Sequence, residues 1–281
     1  MIPFRFDYYL PDTWQEAVDI YHTVQAEGKN PLYYGGGTEI ISMARVGSIQ
    51  PDAVIDIKRI PECLCLGTDG ERLMFGAALT LTTIRECGLY PLLSLAAGRI
   101  ADHTVQCKLT LGGNLAGTIH YHETLLPLLL ADAVLRVANA QSIQQLPIRE
   151  TLDRGRRLEA GELILSVSVD KSCTAYPFAH IKKTKSEKIG YPLVSMAALD
   201  ADGVLRLGAS ALCSYPFRFA DMPMDSGRTP EDMVHELEAG LPEAVLSDLE
   251  GSADYRRFIF AKTAKKIIME FRQGGGGNGD A

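Results

Sequence analysis

The sequence is short of positive charge: 28 Lys and Arg stand against 35 Asp and Glu in 281 residues, a formal net charge of −7. That balance lacks the electrostatic footprint that phosphate-backbone binding needs, so nucleic acid and anionic membrane surfaces are not expected partners. No apolar run approaches the length that spans a bilayer, and MIPFRFDYYLPDTW has no basic start followed by an apolar stretch. The expectation is a cytoplasmic protein. The six cysteines (Cys63, Cys65, Cys87, Cys107, Cys173 and Cys213) form no CxxC, and Cys63-x-Cys65 is too tight and isolated for a four-ligand cluster. They read as reduced, mostly buried thiols, not as an iron–sulfur centre. GxGxxG, the Walker pattern and GxSxG are also missing. No nucleophile–base arrangement stands out, so the chemistry is expected to belong to a bound cofactor.

Apolar residues make up 46% of the chain and charged residues 22%, ordinary globular composition that excludes disorder or a coiled coil as the main theme. Thr13-x-x-Glu16 has the capping-box pattern, and Trp14, Ala17, Val18, Tyr21 and Val24 recur at helical spacing up to Gly28. A short apolar run, Leu32 to Tyr34, then enters Gly35-Gly36-Gly37-Thr38, after which Glu39 to Met43 starts a second helix. Residues 53–57, 73–77, 133–137 and 163–169 read as strands; residues 82–86, 91–100 and 125–131 read as helices. Leu193–Leu199 and Val204–Leu212 flank Asp200-Ala201-Asp202-Gly203, a strong hairpin signal. Ser252 caps a last helix whose apolar face is Phe260, Ala264, Ile267, Ile268 and Phe271. From Gly274 the chain reads as a flexible tail.

Three consecutive glycines let successive backbone N–H groups turn toward one anion, and a helix starting directly afterwards adds its own unpaired N–H groups. The chemistry this suits is pyrophosphate binding, although the run alone serves equally as a structural turn. Thr110-Leu111-Gly112-Gly113-Asn114 repeats the combination, and two such loops can close on one diphosphate from opposite sides. No Lys-Ser/Thr follows either loop, which favours a dinucleotide cofactor over nucleotide hydrolysis. His120-Tyr121-His122-Glu123 invites a metal reading, but the two imidazoles lack helical i,i+4 spacing, so no metal is expected. Glu123 can instead accept hydrogen bonds from a sugar hydroxyl. Lys182-Lys183-Thr184-Lys185 is a solvated basic patch or a contact to an anionic cofactor.

Taken together, Phe4-Arg5-Phe6-Asp7-Tyr8-Tyr9, Gly35-Gly36-Gly37-Thr38-Glu39-Ile40, Val54-Ile55-Asp56-Ile57 and Ile60-Pro61-Glu62 resemble the FAD-binding (medium) subunit of molybdenum hydroxylases. Phe75-Gly76-Ala77, Leu79-Thr80, the Thr110–Ala116 loop, Gly161–Ile164 and Ser252-x-x-Tyr255-Arg256-Arg257 extend the resemblance in order along the chain. The resemblance implies an α+β fold: a vanillyl-alcohol-oxidase-like FAD-binding domain over 1–170, with sub-domains of about 1–60 and 61–170. A C-terminal α+β domain of carbon monoxide dehydrogenase flavoprotein type then covers 171–273. It implies FAD, with contacts on Tyr33, Tyr34, Gly35, Gly36, Gly37, Thr38, Glu39 and Ile40, and on Thr110, Leu111, Gly112, Gly113 and Asn114; no His or Cys matches a flavin-attachment pattern, so noncovalent binding is expected. Glu123, Leu165 and Lys182 complete the implied set. It also implies a xanthine dehydrogenase-like role. Electrons would leave a molybdopterin-binding large subunit, cross [2Fe–2S] clusters of a small subunit, reach FAD here and pass to NAD⁺. The chain departs from the family at Cys107-Lys108-Leu109, where Arg-Asn-x-Gly is usual, and at Ile119-His120, where Ser-Pro is usual. A stand-alone flavoprotein oxidase or reductase, or a non-catalytic chain keeping the fold, is the competing class.

Overall fold

The computed structural model describes residues 2–119, 121–186, 190–225 and 227–274. The expected tail beyond Gly274, and His120 of the His-Tyr-His-Glu run, lie outside the described residues.

The chain first lays down β1 (Asp7–Tyr9), α1 (Trp14–Ala26), β2 (Pro31–Tyr34), α2 (Thr38–Arg45) and β3 (Ala53–Asp56). The strands form a parallel sheet in the order β1-β3-β2, so β3 sits in the middle and is buried along its whole length. Thr13 caps α1 by accepting the Glu16 N–H at 3.2 Å. The Glu16 carboxylate takes the N–H of Asp12 at 3.1 Å, one residue earlier than the capping-box pattern implies.

The second unit runs β4 (Leu66–Asp69), β5 (Arg72–Gly76), α3 (Leu81–Cys87), α4 (Pro91–Gly98), α5 (His103–Gln106), α6 (Leu111–Ala116) and α7 (Leu125–Leu130). It closes with β6 (Val134–Ala138), β7 (Ile143–Pro147), α8 (Ile148–Thr151) and β8 (Leu163–Asp170). The strands form an antiparallel sheet in the order β4-β5-β8-β6-β7. Its middle strand, β8, is buried from Leu163 to Val169, as a strand covered on both faces must be. All six residues of α7 are buried, and with β5, β6 and β8 they form a core that also takes in Ala17, Val18 and Ile55 of the first unit.

The third unit is β9 (Phe178–Thr184), β10 (Pro192–Ala201), β11 (Val204–Ser210), β12 (Phe217–Arg218), β13 (Met222–Pro223), α9 (Pro230–Ala239) and α10 (Ala253–Arg272). β10 and β11 form the expected hairpin, in which Asp202 and Gly203 both take positive φ and Asp200 accepts the Gly203 N–H at 2.8 Å. The sheet runs β12-β11-β10-β9, with β13 beside β11. Residues alternate between its faces. Ile181, Val194, Met196, Ala198 and Leu207 pack with Phe260, Ala264, Ile267, Ile268 and Phe271 of α10, while Ala197 and Leu199 join the core of the first two units. The sheet of the third unit is therefore covered on both faces, and its inner face meets α4 and α7. No helix among the described residues is long and apolar enough to cross a membrane.

Candidate functional site

The first glycine loop leaves the end of β2 and enters α2 through Gly37, whose φ of +71° is a left-handed conformation that suits glycine. A Cβ on Gly37 would also meet the Tyr34 ring. The backbone N–H groups of Gly35, Gly36 and Gly37 donate to no acceptor among the described residues. With the first turn of α2 behind them, they form a cluster of free donors of the kind that receives a phosphate oxygen. The loop is held from below. Lys58 donates to the Gly35 carbonyl at 2.9 Å and to Asp56 at 2.7 Å, with its ammonium 4.6 Å from the Tyr34 ring centre. Asp56 is buried at the end of β3 and also accepts the Tyr8 hydroxyl at 2.6 Å, a bond that pushes the Tyr8 pKa up to about 12. Tyr33 points the other way along the strand. It stacks on Tyr21 of α1, donates to the Gly161 carbonyl at 2.8 Å, and has its pKa raised by burial.

The second loop packs directly on the first. A Cβ on Gly35 would lie 2.5 Å from Thr110 Oγ1, and one on Gly36 would lie against the carbonyl of Lys108. The second loop is not an open turn: Thr110 caps the short helix α6, accepting the Gly113 N–H at 3.2 Å. The N–H groups of Leu111, Gly112 and Asn114 are also engaged within the protein. Leu111 donates to Leu79, Gly112 to Ala77 and Asn114 to Thr110. The run of free glycine N–H groups therefore belongs to the first loop, and residues 111–114 support it. Glu39 ties the two together from the α2 side by accepting the Thr118 N–H at 2.7 Å and the Thr118 hydroxyl. Thr38 and Ile40 are half-buried in the first turn of α2. The Asn114 side chain accepts the Thr124 hydroxyl, and Leu165 is fully buried in the core, its carbonyl accepting the Ala77 N–H at 2.9 Å. Beyond the far end of α6 lies a cavity of about 310 Å³, bounded by Leu115, Leu125, Leu158, Tyr215, Arg156 and Arg157.

Glu123 and Lys182, far apart in sequence, form a buried ion pair at 3.3 Å across the junction of the second and third units. Lys182 Nζ also donates to the Arg99 carbonyl at 2.9 Å. Burial raises the Glu123 pKa against the opposing pull of Lys182. Glu123 Oε1 faces the Lys182 ammonium at 3.3 Å yet makes no well-aligned hydrogen bond among the described residues, so it keeps acceptor capacity. A carboxylate oxygen with acceptor capacity to spare suits a ligand hydroxyl, as the free N–H groups of the first loop suit a pyrophosphate. The residues present fit FAD on both counts. His122 turns Nδ1 to the Asn114 carbonyl, and no group of three His, Cys, Asp or Glu among the described residues converges as a metal site.

Three supporting residues belong to no motif singled out in the sequence: Lys58, Arg99 and Thr118. Asp56-x-Lys58 at a strand end carried a usable signal, because an aspartate inside an apolar strand needs a partner. Arg99 and Thr118 offered none.

Residues 4–171 match the family described as the FAD binding domain in molybdopterin dehydrogenase. The chain belongs to that family; it is an oxidoreductase chain of the medium-subunit type, and its cofactor is FAD. It is 27% identical to the alpha subunit of the 6-hydroxypseudooxynicotine dehydrogenase complex of Paenarthrobacter nicotinovorans, over 96% of this chain and 95% of that one. It is 26% identical to the FAD-subunit of nicotinate dehydrogenase of Eubacterium barkeri, over 84% of each chain. The carbon monoxide dehydrogenase medium chain of Hydrogenophaga pseudoflava is 35% identical over a shorter stretch, 41% of each chain. The fold superposes on a chain of quinoline 2-oxidoreductase from Pseudomonas putida 86 with a TM-score of 0.83 at 20% identity, covering 96% of this chain and 98% of that one. The likeness bears out the expected α+β flavoprotein fold.

Proposed function

We propose that this chain is the electron-transfer subunit of a xanthine dehydrogenase-like molybdenum hydroxylase, working beside a molybdopterin-binding large subunit and a [2Fe–2S] small subunit. The observation that carries the reading is the interlocked pair of glycine loops, with free N–H donors on one of them. The Glu123–Lys182 pair accompanies it in a second, separate patch of the chain. Bound here, FAD supplies the two-electron chemistry that links the iron–sulfur clusters of the small subunit to NAD⁺. The chain's own residues bind and orient. Gly35, Gly36 and Gly37 offer N–H groups to the pyrophosphate. Glu123 accepts a ribityl or ribose hydroxyl, and Lys182 places a positive charge beside the flavin. Tyr34, Gly113 and Asn114 shape the loops around them. Cytoplasmic partners in purine oxidation fit this assignment.

Purification of the native protein with its partners tests the reading. A complex carrying molybdopterin and iron–sulfur chains, in which xanthine bleaches the flavin band anaerobically, is the expected outcome. The isolated chain should bleach with NADH and not with xanthine. Direct bleaching of the isolated chain by xanthine would make it a stand-alone oxidase instead.

A further inference from the structure

β9 and β10 pair so that Lys182 lies opposite Ser195 and His180 opposite Ala197. The period of two puts His180, Lys182 and Ser195 on the sheet face turned toward the second unit. There they meet Arg99, just after α4, and Glu123, just before α7. Arg99 donates to the His180 carbonyl and also places Nη1 3.3 Å from His180 Nδ1. A guanidinium only donates. Nδ1 must therefore accept, and the ring proton belongs on Nε2. Nε2 stands 3.4 Å from Ser195 Oγ, which leaves the serine proton for the Glu123 carboxylate, whose charged form Ser195 favours. Lys182 closes the ring with its contacts to Glu123 and to the Arg99 carbonyl. His180 is completely buried, and desolvation together with the two neighbouring cations pushes its pKa down to about 3.

A buried polar ring of this kind is a poor way to gain stability, because an apolar interface of equal volume does as well or better. What it does provide is a fixed geometry for each member. We propose that His180 is a positioning residue of the flavin site: with Arg99 and Ser195 it fixes where the Lys182 ammonium and the Glu123 carboxylate stand, and through them it sets flavin affinity and reduction potential. The inference rests on the reading that Lys182 and Glu123 face the flavin.

The test uses the full chain, stripped of flavin and titrated with FAD, with the flavin midpoint potential measured by dye equilibration. Lys182→Met removes a charge at the site itself. It should weaken FAD roughly tenfold or more and lower the midpoint potential, since loss of a nearby cation makes the acceptor harder to reduce. His180→Leu removes only the ring's connector and should move both readouts in the same direction, with roughly a threefold to tenfold loss of affinity. His180→Gln, which restores an acceptor and a donor, should recover most of the loss. Ser195→Ala deletes one buried atom and should give the same signs; it decides the matter if His180→Leu does not fold. Nitrogen NMR of the apoprotein should show the proton on Nε2 of His180.

Folded His180→Leu and Ser195→Ala variants with wild-type affinity and potential, beside a perturbed Lys182→Met, would overturn the positioning role and leave the flavin reading standing. An unperturbed Lys182→Met would overturn both. An imidazole protonated on Nδ1 would break the ring and overturn the positioning role alone.

Discussion

Gly36 faces Lys108 so closely that a Cβ built on the glycine would lie 1.7 Å from the lysine carbonyl oxygen. The contact is backbone on backbone, so no flexible side chain can give way. Gly36→Ala should therefore separate the two loops, costing about 1–3 kcal/mol of stability as overpacking does, and lowering FAD affinity as the N–H donors lose their alignment. Gly113→Ala should be milder, because there the nearest atom is the Thr110 hydroxyl at 2.8 Å. Thermal unfolding and a flavin titration of both variants provide the check. Wild-type behaviour of Gly36→Ala would remove the loop contact from the site.

Glu123→Gln preserves shape but leaves the Lys182 ammonium buried without its counter-ion. Breaking one half of a buried pair costs roughly 3–5 kcal/mol, so this variant should be clearly destabilised in denaturant unfolding of the apoprotein. The double variant Glu123→Gln/Lys182→Met should recover much of that loss. Additive losses in the double variant would show that the two side chains do not act as a pair.

His180 gives the protein a directional response to acid. Its pKa in the fold, about 3, lies below the ordinary 6.5, so the unfolded chain binds the extra proton first. The stability it contributes is complete above pH 6.5 and declines as pH falls toward 3, with a slope of up to about 1.4 kcal/mol per pH unit. Glu123, whose pKa is raised by burial, acts with the opposite sign: as pH falls through its titration the fold takes up its proton more readily than the unfolded chain does. The comparison that isolates the histidine is wild type against His180→Gln. Unfolding free energies measured from pH 7.5 down to pH 5 should converge, because only the wild type carries the histidine slope. Parallel curves would mean that the imidazole is not held neutral.

Local structure was largely legible in the sequence. The Ser252 cap, the apolar face from Phe260 to Phe271 and the Asp202-Gly203 turn are all decided by neighbours within a few residues, and each stands where the pattern puts it. β9 and β7 were not legible, because Phe178-Ala-His-Ile-Lys-Lys-Thr184 and Ile143-Gln-Gln-Leu-Pro147 carry charged or amide side chains that interrupt the apolar run. The reason for the interruption in β9 is tertiary: His180 and Lys182 face Arg99 and Glu123, which no local window contains. At the site, glycine composition pointed to both loops, but only the fold distinguishes Gly35–Gly37, whose N–H groups are free, from residues 111–114, whose N–H groups are engaged. Tyr33, adjacent in sequence to the loop, is turned away from it by the simple alternation of a strand.

FAD is expected to bind reversibly, without a covalent link. No His or Cys of the sequence lies in a flavin-attachment pattern; among the described residues, His122 meets the Asn114 carbonyl and both ring nitrogens of His180 lie in the buried ring. A ligand that binds only the folded state stabilises it by mass action, by about 2.7 kcal/mol when free FAD is at one hundred times its dissociation constant. The unfolding temperature of the apoprotein should therefore climb steadily with added FAD and fall back when the flavin is dialysed away. Acid precipitation should leave all the yellow colour in the supernatant. Flavin that remained in the precipitate, together with an unfolding temperature indifferent to added FAD, would show that the flavin is linked to the chain.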